Sequence, residues 1–427
     1  MVETILIVGC GVFGLSTALE LSQNPKYKII AIDKYPIPSP YSASNDYNKI
    51  VRAEYSDIFY SKLSVEALQL WENNPLYKDV YFKSGRLTLS PDSEQNQHRK
   101  QYEQKGLDNL KELNFDISGI KEYNHGDQIG EDFAGFKQNS FKDINATYNP
   151  NTGYGHSAKS LLKVYNQCVE NGVNFIFGSR GTAIKILSDE SIQVESGEIY
   201  KADKILLSLG ASTGYLVDLD NQIRSLGLYV THIKLNDIEY EKYKDIPIFF
   251  SSELGYFFPP DVDNYEIKIA LTYADTDNII QNPHDSNQTI SLPRYKIDNP
   301  NDTFPINGEI HVRNLLRLIL PELQNHKLIH SKVCWISDTS TSDFLIDKLP
   351  NKDKIIVATG DSGHGYKFLP NIGKYIALKL QDKLNQEFSN KWKWKSNPNF
   401  PQQFATRSKR EHLDIKNIND WYIEDNK

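Results

Sequence analysis

Two glycine-rich turns and a few scattered basic and thiol side chains carry the chemistry that this sequence can do. Gly9, Gly11 and Gly14 form the spacing G-x-G-x-x-G directly after the apolar run at residues 5–8 and at the head of the helical pattern LSTALELS. Asp33 closes the next apolar run, KIIAID, about two dozen residues later. In a dinucleotide site the first glycine permits the tight turn and the second lets a pyrophosphate approach the backbone. The third lets helix and strand pack closely, while the helix N-terminus supplies N–H donors and a positive dipole end. The acid at the end of the second strand accepts hydrogen bonds from the adenosine ribose. This fingerprint leaves the choice between FAD and NAD open.

The second turn holds Gly360, Gly363 and Gly365 around Ser362 and His364, after the strand pattern IIVATG and before a helical pattern over about residues 369–384. Backbone N–H groups gathered there suit a ligand with negative charge, such as a reduced flavin near N1 and the C2 carbonyl. An ordinary strand-to-helix turn reads the same way, and His364 taken alone reads as structural. Cys10, Cys168 and Cys334 are too few and too scattered for a disulfide framework or a zinc site, which fits a reducing compartment and gives no metal site. Cys334, flanked by apolar residues in VCWIS, reads by itself as an inert core thiol. In EIKIA, alternation puts Glu266 and Lys268 on one face and Ile267 and Ile269 on the other, so Lys268 reads as part of a solvated strand face.

The elements that must position these groups follow from length and pattern. The chain has 427 residues, 39% hydrophobic and 24% charged, with 25 Tyr and 19 Phe, enough for two packed domains. A formal net charge of -7 with no basic block argues against nucleic acid or an anionic membrane as partner. No run of 18 or more apolar residues occurs. The N-terminus lacks the pattern of a secretory signal, and the C-terminus lacks the peroxisomal tripeptide, so the expected location is the cytoplasm. Strand–turn–helix–strand over the first 33 residues, a helix over 157–170 followed by short β segments ending in KILLSLGAS, and the unit around IIVATGDSGHG make three αβ pieces. The expected fold is α/β, a discontinuous Rossmann-type domain of residues 1–58, 152–218 and 326–390. A sheet-rich α+β substrate domain takes residues 59–151 and 219–325, and residues 391–427 form a C-terminal tail. The segment 281–304, rich in Asn, Asp and Pro, reads as an exposed loop.

Taken together in order, IVGCGVFGLSTALEL, SASNDYNKIVR, SSELGYFFPP with EIKI, VCWISDTSTSDFLID, ATGDSGHGYKFLPNIGK and KWKWK make the sequence similar to the fungal fructosyl amino acid oxidases (amadoriases). These belong to the wider sarcosine, pipecolate and saccharopine oxidase flavoenzymes, and the resemblance runs to about residue 395. It implies FAD as cofactor, held by Gly9, Gly11, Gly14, Asp33, Gly363, His364 and Gly365. Cys334 matches the cysteine joined through sulfur to the flavin 8α carbon, and Lys49 lies in the flavin-contacting loop. Lys268 matches the lysine that helps oxygen react with reduced flavin, where a fixed ammonium stabilises the charge passed to dioxygen far more in a dry site than in water. Arg52 and Lys367 match residues that grip a substrate α-carboxylate, a task suited to the planar Arg fork.

Resemblance therefore implies a monomeric oxidase of secondary amines, with oxygen as acceptor and hydrogen peroxide as product. Fructosyl amino acids are the expected substrates, giving the free amino acid and glucosone. The alternatives are saccharopine, pipecolate or sarcosine-type imino acids, and, more distantly, an NAD-dependent dehydrogenase or a non-catalytic flavin-binding protein. One departure bears on that choice. Where many amadoriases place an acid, a His and then Pro-Gly after the lysine strand, this chain continues Ala270-Leu271-Thr272-Tyr273. Arg52 is likewise absent from several amadoriases, which moves the sequence toward the saccharopine and pipecolate oxidases.

Overall fold

Ile5 and Ile7 pack on one side of their strand and Leu6 and Val8 on the other, and both sides are buried. That near-continuous apolar run is what a parallel strand covered on both faces requires. In the computed structural model, which describes residues 2–94, 97–401, 404 and 407–424, this strand, Glu3–Val8, sits inside a six-stranded sheet. The order is Leu345–Lys348, Ile355–Thr359, Lys204–Leu207, Glu3–Val8, Tyr27–Ile32 and Asn174–Ile176. Its neighbours pair in parallel except at the Leu345–Lys348 edge. Helices Val12–Ser22, Ser157–Glu170 and Ile372–Leu380 pack on the side of Ile5 and Ile7. Residues of the antiparallel strands Ala183–Ile186 and Ile192–Val194 join Leu6 and Val8 on the other.

A second, nine-stranded sheet runs Ile329–Thr339, Ile223–Lys234, Glu266–Asp277, Gly255–Phe257, Ile248–Ser251, Arg86–Leu89, Asp143–Asn149 and Lys121–His125, with Glu411–Asp414 added in parallel to Glu266–Asp277. The amphipathic helix Gly308–Ile319 buries Val312, Leu315, Leu316 and Ile319 against it. A small antiparallel sheet of Lys49–Val51, Gly153–Gly155 and Tyr81–Phe82 stands apart from both. No helix among the described residues is long and apolar enough to cross a membrane.

Several segments lie elsewhere than their sequence pattern suggests. The strand bearing Cys334 is grouped by sequence with the nucleotide-binding pieces, yet it hydrogen-bonds along Ile223–Lys234 in the second sheet. Conversely, helix Ile58–Asn73 buries Phe59, Leu63, Ala67 and Trp71 in the first core. Segment 281–304 is no simple exposed loop. Thr289–Ser291 pairs with Ile279–Gln281, Leu292 and Phe304 are buried, and Arg294 is clamped by Asp302 at 2.7 Å. The helix after the second glycine turn is shorter than its pattern, Ile372–Leu380, because Asn371 departs from helical geometry at φ -128° and Asp382 turns the chain out with φ 56°. The tail contributes the strand Glu411–Asp414 and the fully buried Trp392.

The first and last helices of the nucleotide-binding unit cross where Gly373 meets Ser16, whose hydroxyl accepts the Gly373 N–H at 2.8 Å. A Cβ at Gly373 would collide with the Ser16 carbonyl. Gly373→Ala is therefore expected to destabilise the fold by about 1–3 kcal/mol, the ordinary scale of overpacking, read as a lowered midpoint in chemical denaturation. An unchanged midpoint would show that the two helices separate without cost.

Candidate active site

A cavity of about 540 Å³ opens at the carboxyl ends of the parallel strands, where ligands of such sheets bind. Its floor is the first glycine turn. Gly9 has φ +97°, and a Cβ there would stand 2.6 Å from the Ser208 carbonyl oxygen. A Cβ at Gly14 would strike the Gly9 carbonyl, so these two glycines serve the turn and the helix packing. Gly11 differs, since a Cβ there would find nothing nearer than Ser42 Oγ at 3.9 Å, and its open side faces the cavity. Asp33 lines the same cavity and accepts the Cys10 N–H at 2.7 Å and the Tyr35 N–H at 3.2 Å. Burial raises its pKa, and those N–H donors partly oppose the rise.

Gly363 and Gly365 line the opposite wall with Asp361. The turn's N–H groups are less available to a ligand than the sequence suggests. Gly360 and Asp361 donate to Ser337 Oγ, Ser362 to the Ser337 carbonyl, Gly363 to the Asp361 carboxylate and His364 to the Asp361 carbonyl. His364 itself is turned away from this cavity toward a second one of about 360 Å³, beside Tyr55, Tyr60 and Tyr102.

Beside the large cavity, basic groups converge on one carboxylate. Lys268 is not on a solvated face: it is 2% exposed, because the loop carrying Asp46 and Asn48 folds over its strand. Its ammonium lies 2.6 Å from Asp46 Oδ2, donates to the Asn48 carbonyl at 2.8 Å and stands 5.1 Å from the centre of the Phe258 ring. Burial lowers its pKa to about 8 even though Asp46 opposes the fall. Lys49 reaches Asp46 at 3.6 Å, and although burial works against its charge, Cys334, Asp46, Tyr256 and Asp361 hold its pKa above the usual lysine value. His232 Nε2 is 4.0 Å from Asp46 Oδ1 and is kept neutral by burial, with a pKa of about 3. Cys334, half-buried where Cys10 and Cys168 are buried, makes a weak Sγ contact to the Ala43 carbonyl at 3.9 Å. Ala43, Lys49 and Trp335 all line the large cavity.

Arg52 and Lys367 come together on Tyr55. The guanidinium carbon of Arg52 lies 4.5 Å from the centre of the Tyr55 ring, and Lys367 Nζ donates to Tyr55 Oη at 2.9 Å and to the His364 carbonyl at 3.1 Å. His364 Nε2 is 2.9 Å from the Ser342 carbonyl, which can only accept, so Nδ1 is the acceptor for the Tyr55 hydroxyl at 3.1 Å. Burial, and then Lys367, push the His364 pKa well down, which keeps this neutral tautomer in place. Among the described residues neither Arg52 nor Lys367 makes an ion pair, although Arg86 has Glu54 at 3.4 Å and Arg407 has Asp338 at 2.5 Å. Burial and the neighbouring Arg52 depress the Lys367 pKa strongly.

The structure thus gathers Gly9, Gly11, Asp33, Lys49, Gly363 and Gly365 at one cavity, with Gly14 packed behind the first turn, Cys334 and Lys268 at the cavity's edge and Arg52 with Lys367 as a separate pair. It separates His364 from that cavity. Asp46 and Tyr55 are the residues that sequence reasoning missed. Asp46 sits in the quoted run SASNDYNKI between serines and a lysine, and nothing in its spacing marks it as buried.

A family model described as FAD dependent oxidoreductase (DAO) matches residues 4–378. The chain is 39% identical to the L-saccharopine oxidase of Schizosaccharomyces pombe over 92% of this chain and 94% of that one. It is 23% identical to a monomeric sarcosine oxidase of a Bacillus species, over 90% and 94%. Among solved structures it superposes on the fructosyl peptide oxidase from E. terrenum with a TM-score of 0.89 at 28% identity, covering 99% of this chain and 98% of that one. The fructosamine oxidase of Aspergillus fumigatus (Amadoriase II) gives a TM-score of 0.86 at 28% identity, covering 99% and 97%.

FAD fits the cavity on its own terms: an uncrowded glycine edge for the pyrophosphate, a carboxylate at the end of the second strand for the ribose, and Lys49 for a developing negative charge. Because Gly11 is the one glycine of the first turn's three with a free side toward that space, Gly11→Ala is expected to fold with an ordinary melting profile and to carry much less flavin per chain. Absorbance of the purified protein checks this, and normal flavin content would place the pyrophosphate elsewhere.

Proposed function

The chain belongs to the DAO family of FAD dependent oxidoreductases, and we propose that it oxidises the secondary amine of an N-substituted amino acid of the saccharopine type. The observation that carries this reading is the pair of cations, half-buried Arg52 and buried Lys367, that share Tyr55 and, among the described residues, form no ion pair. Two like charges held together in a partly dry setting are costly, and an anion arriving between them repays that cost. A substrate α-carboxylate is such an anion. The bulge after the lysine strand points the same way. Between Ala270 and Asp275 the ladder to Ile223–Lys234 is interrupted, and the stretch holds Ala270, Leu271 and Thr272 in place of the acid and His of many amadoriases. The 39% identity to a saccharopine oxidase supports the same choice. Fructosyl amino acids are the second reading, favoured by the TM-score of 0.89 to a fructosyl peptide oxidase.

In the reaction, a carbon beside the amine is oxidised, water hydrolyses the resulting imine to an amine and a carbonyl compound, and dioxygen leaves as hydrogen peroxide. Bound FAD supplies the two-electron acceptor. Arg52 and Lys367 hold the carboxylate and so fix which carbon faces the cofactor. The neutral His364 and the Tyr55 hydroxyl hold Lys367 in place. Lys268 offers a fixed ammonium where negative charge develops during oxygen reduction, in a setting where water cannot screen it. Cys334, accessible beside Ala43 and with Lys49 close by, is the candidate covalent anchor of the flavin.

The tether is tested by acid precipitation and mass measurement. Flavin is expected in the pellet on the peptide that contains Cys334, and Cys334→Ala should release all of it. An unmodified peptide with yellow supernatant would refute the attachment.

For the substrate, peroxide release is compared across saccharopine, fructosyl-lysine, fructosyl-valine, pipecolate and sarcosine, with kcat/KM highest on saccharopine. Arg52→Ala should lower kcat/KM by roughly ten- to a hundredfold on carboxylate substrates, the scale of about 1.5–3 kcal/mol for a charge-assisted contact, with Arg52→Lys recovering part of it. The decarboxylated analogue should show little change. Equal losses on both would make Arg52 structural, and a preference for fructosyl-lysine would make the second reading the better one.

A further inference from the structure

We propose that Asp46 is a positioning residue that keeps the Lys268 ammonium charged and aimed. The geometry is specific. Asp46 is 6% exposed and is the only carboxylate paired with Lys268 among the described residues, at 2.6 Å, while the Asn48 carbonyl takes a second N–H at 2.8 Å. Of the other groups around the pair, Lys49 favours loss of the Lys268 proton, Cys334 opposes it more weakly than Asp46 does, and His232 is neutral. Lys49 comes from the strand after Asp46, and Lys332 and Cys334 come from Ile329–Thr339. Lys332 donates to the Asn45 carbonyl at 3.0 Å. His232, opposite Lys268 on the neighbouring strand, carries no charge, and Glu266, two residues before Lys268, is occupied by His330 at 3.0 Å.

One anion therefore serves three lysines. The position of Asp46 does not depend on its side chain alone, because its backbone carbonyl accepts the Ala158 N–H at 3.0 Å and the Ser157 hydroxyl at 2.8 Å. Replacing the carboxylate by an amide of the same shape removes the charge and leaves those anchors. With burial already lowering its pKa to about 8, Lys268 would then lose its proton in the neutral range. The sign is clear: Lys268 is charged below its pKa, and a lower pKa moves the loss of that charge to lower pH.

This inference rests on the proposed role of Lys268 only in its kinetic consequence, so the test has two arms. In the oxidised holoenzyme labelled with 13C at the lysine ε carbon, the Lys268 resonance is assigned by its disappearance in Lys268→Met and titrated with pH. Asp46→Asn should move the midpoint down by about 1–3 pH units, and Asp46→Glu should restore most of it. An unmoved midpoint overturns the proposal. Should the amide fail to fold, Asp46→Ser, which is smaller between the lysines, carries the same measurement. The second arm follows reoxidation of the reduced holoenzyme by oxygen against pH. A break that moves with the NMR midpoint supports both readings. A moved midpoint with no moved break supports Asp46 as the charge-holding residue and removes Lys268 from the oxygen step.

Discussion

Three lysine side chains, buried Lys268 and partly buried Lys49 and Lys332, approach a single buried carboxylate at Asp46, leaving an excess of positive charge around it. Like charges in a low-dielectric setting repel strongly, and a chain free to relax would swing them into solvent. Their persistence requires rigid supports on every side. Lys268 and His232 stand on paired strands of the large sheet, Lys332 on the next strand, and Lys49 on the small sheet. Positive potential is thus built into backbone that cannot move without breaking ladders. That is the condition for stabilising a charge that appears only during reaction, since nothing need reorganise when it does.

The same demand explains why the chain is interleaved instead of divided into two successive domains. The cofactor cavity needs the glycine turns of the parallel sheet, and the cationic cluster needs the antiparallel sheet, so both must meet at one seam. Hydrogen bonds between distant segments close it. Ser337 on the large sheet donates to the Asp361 carboxylate at 2.8 Å, while within the first core Trp71 donates to the Lys367 carbonyl at 2.7 Å and Tyr60 accepts the Phe344 N–H at 3.1 Å. The segment 281–304 also joins the seam, as Tyr295 bonds Ser212 at 2.5 Å and lines the cavity with Pro293 and Arg294.

What could be read directly from the residues was local. The turn at Gly9, Gly11 and Gly14 with Asp33 depends on neighbours within one βαβ unit, and the helix over 157–170 has the observed bounds Ser157–Glu170. Lys268 shows the limit. Period-two alternation places it on a face but cannot say what covers that face, and here the cover is a loop more than two hundred residues earlier. Asp46 and Tyr55 were illegible for the same reason: a polar residue in a loop reads as solvated until the partner that buries it is known. The Asn, Asp and Pro content of 281–304 describes a chain without a regular ladder, and it carries no information about burial. In His364, a residue placed by resemblance at the cofactor, the fold uses both ring nitrogens elsewhere, one for Ser342 and one for Tyr55.

On the proposed roles, substrate choice and oxygen chemistry are separable because they rest on different charges. Among the described residues Arg52 and Lys367 make no direct ion pair and feel Glu54 at longer range, whereas Lys268 has Asp46 at 2.6 Å. A cation with its own counter-ion keeps its charge whether or not a ligand is present, which suits a task that must be ready after product has left. A cation without one is strained until an anion arrives, and its binding free energy is spent on recognising that anion. On the proposed roles, the distribution of carboxylates sorts the two buried lysines: Lys367 for a ligand that brings its own charge, and Lys268 for a reaction in which charge must be met by a group already in place. The interrupted ladder at Ala270–Asp275 lies just beyond Lys268 on the same strand. Leu271 and Ala274 in that stretch pack into the core of the large sheet, and the bulge lets the strand bend there while its ladder pairs on both sides, so the backbone that carries Lys268 stays tied to the core.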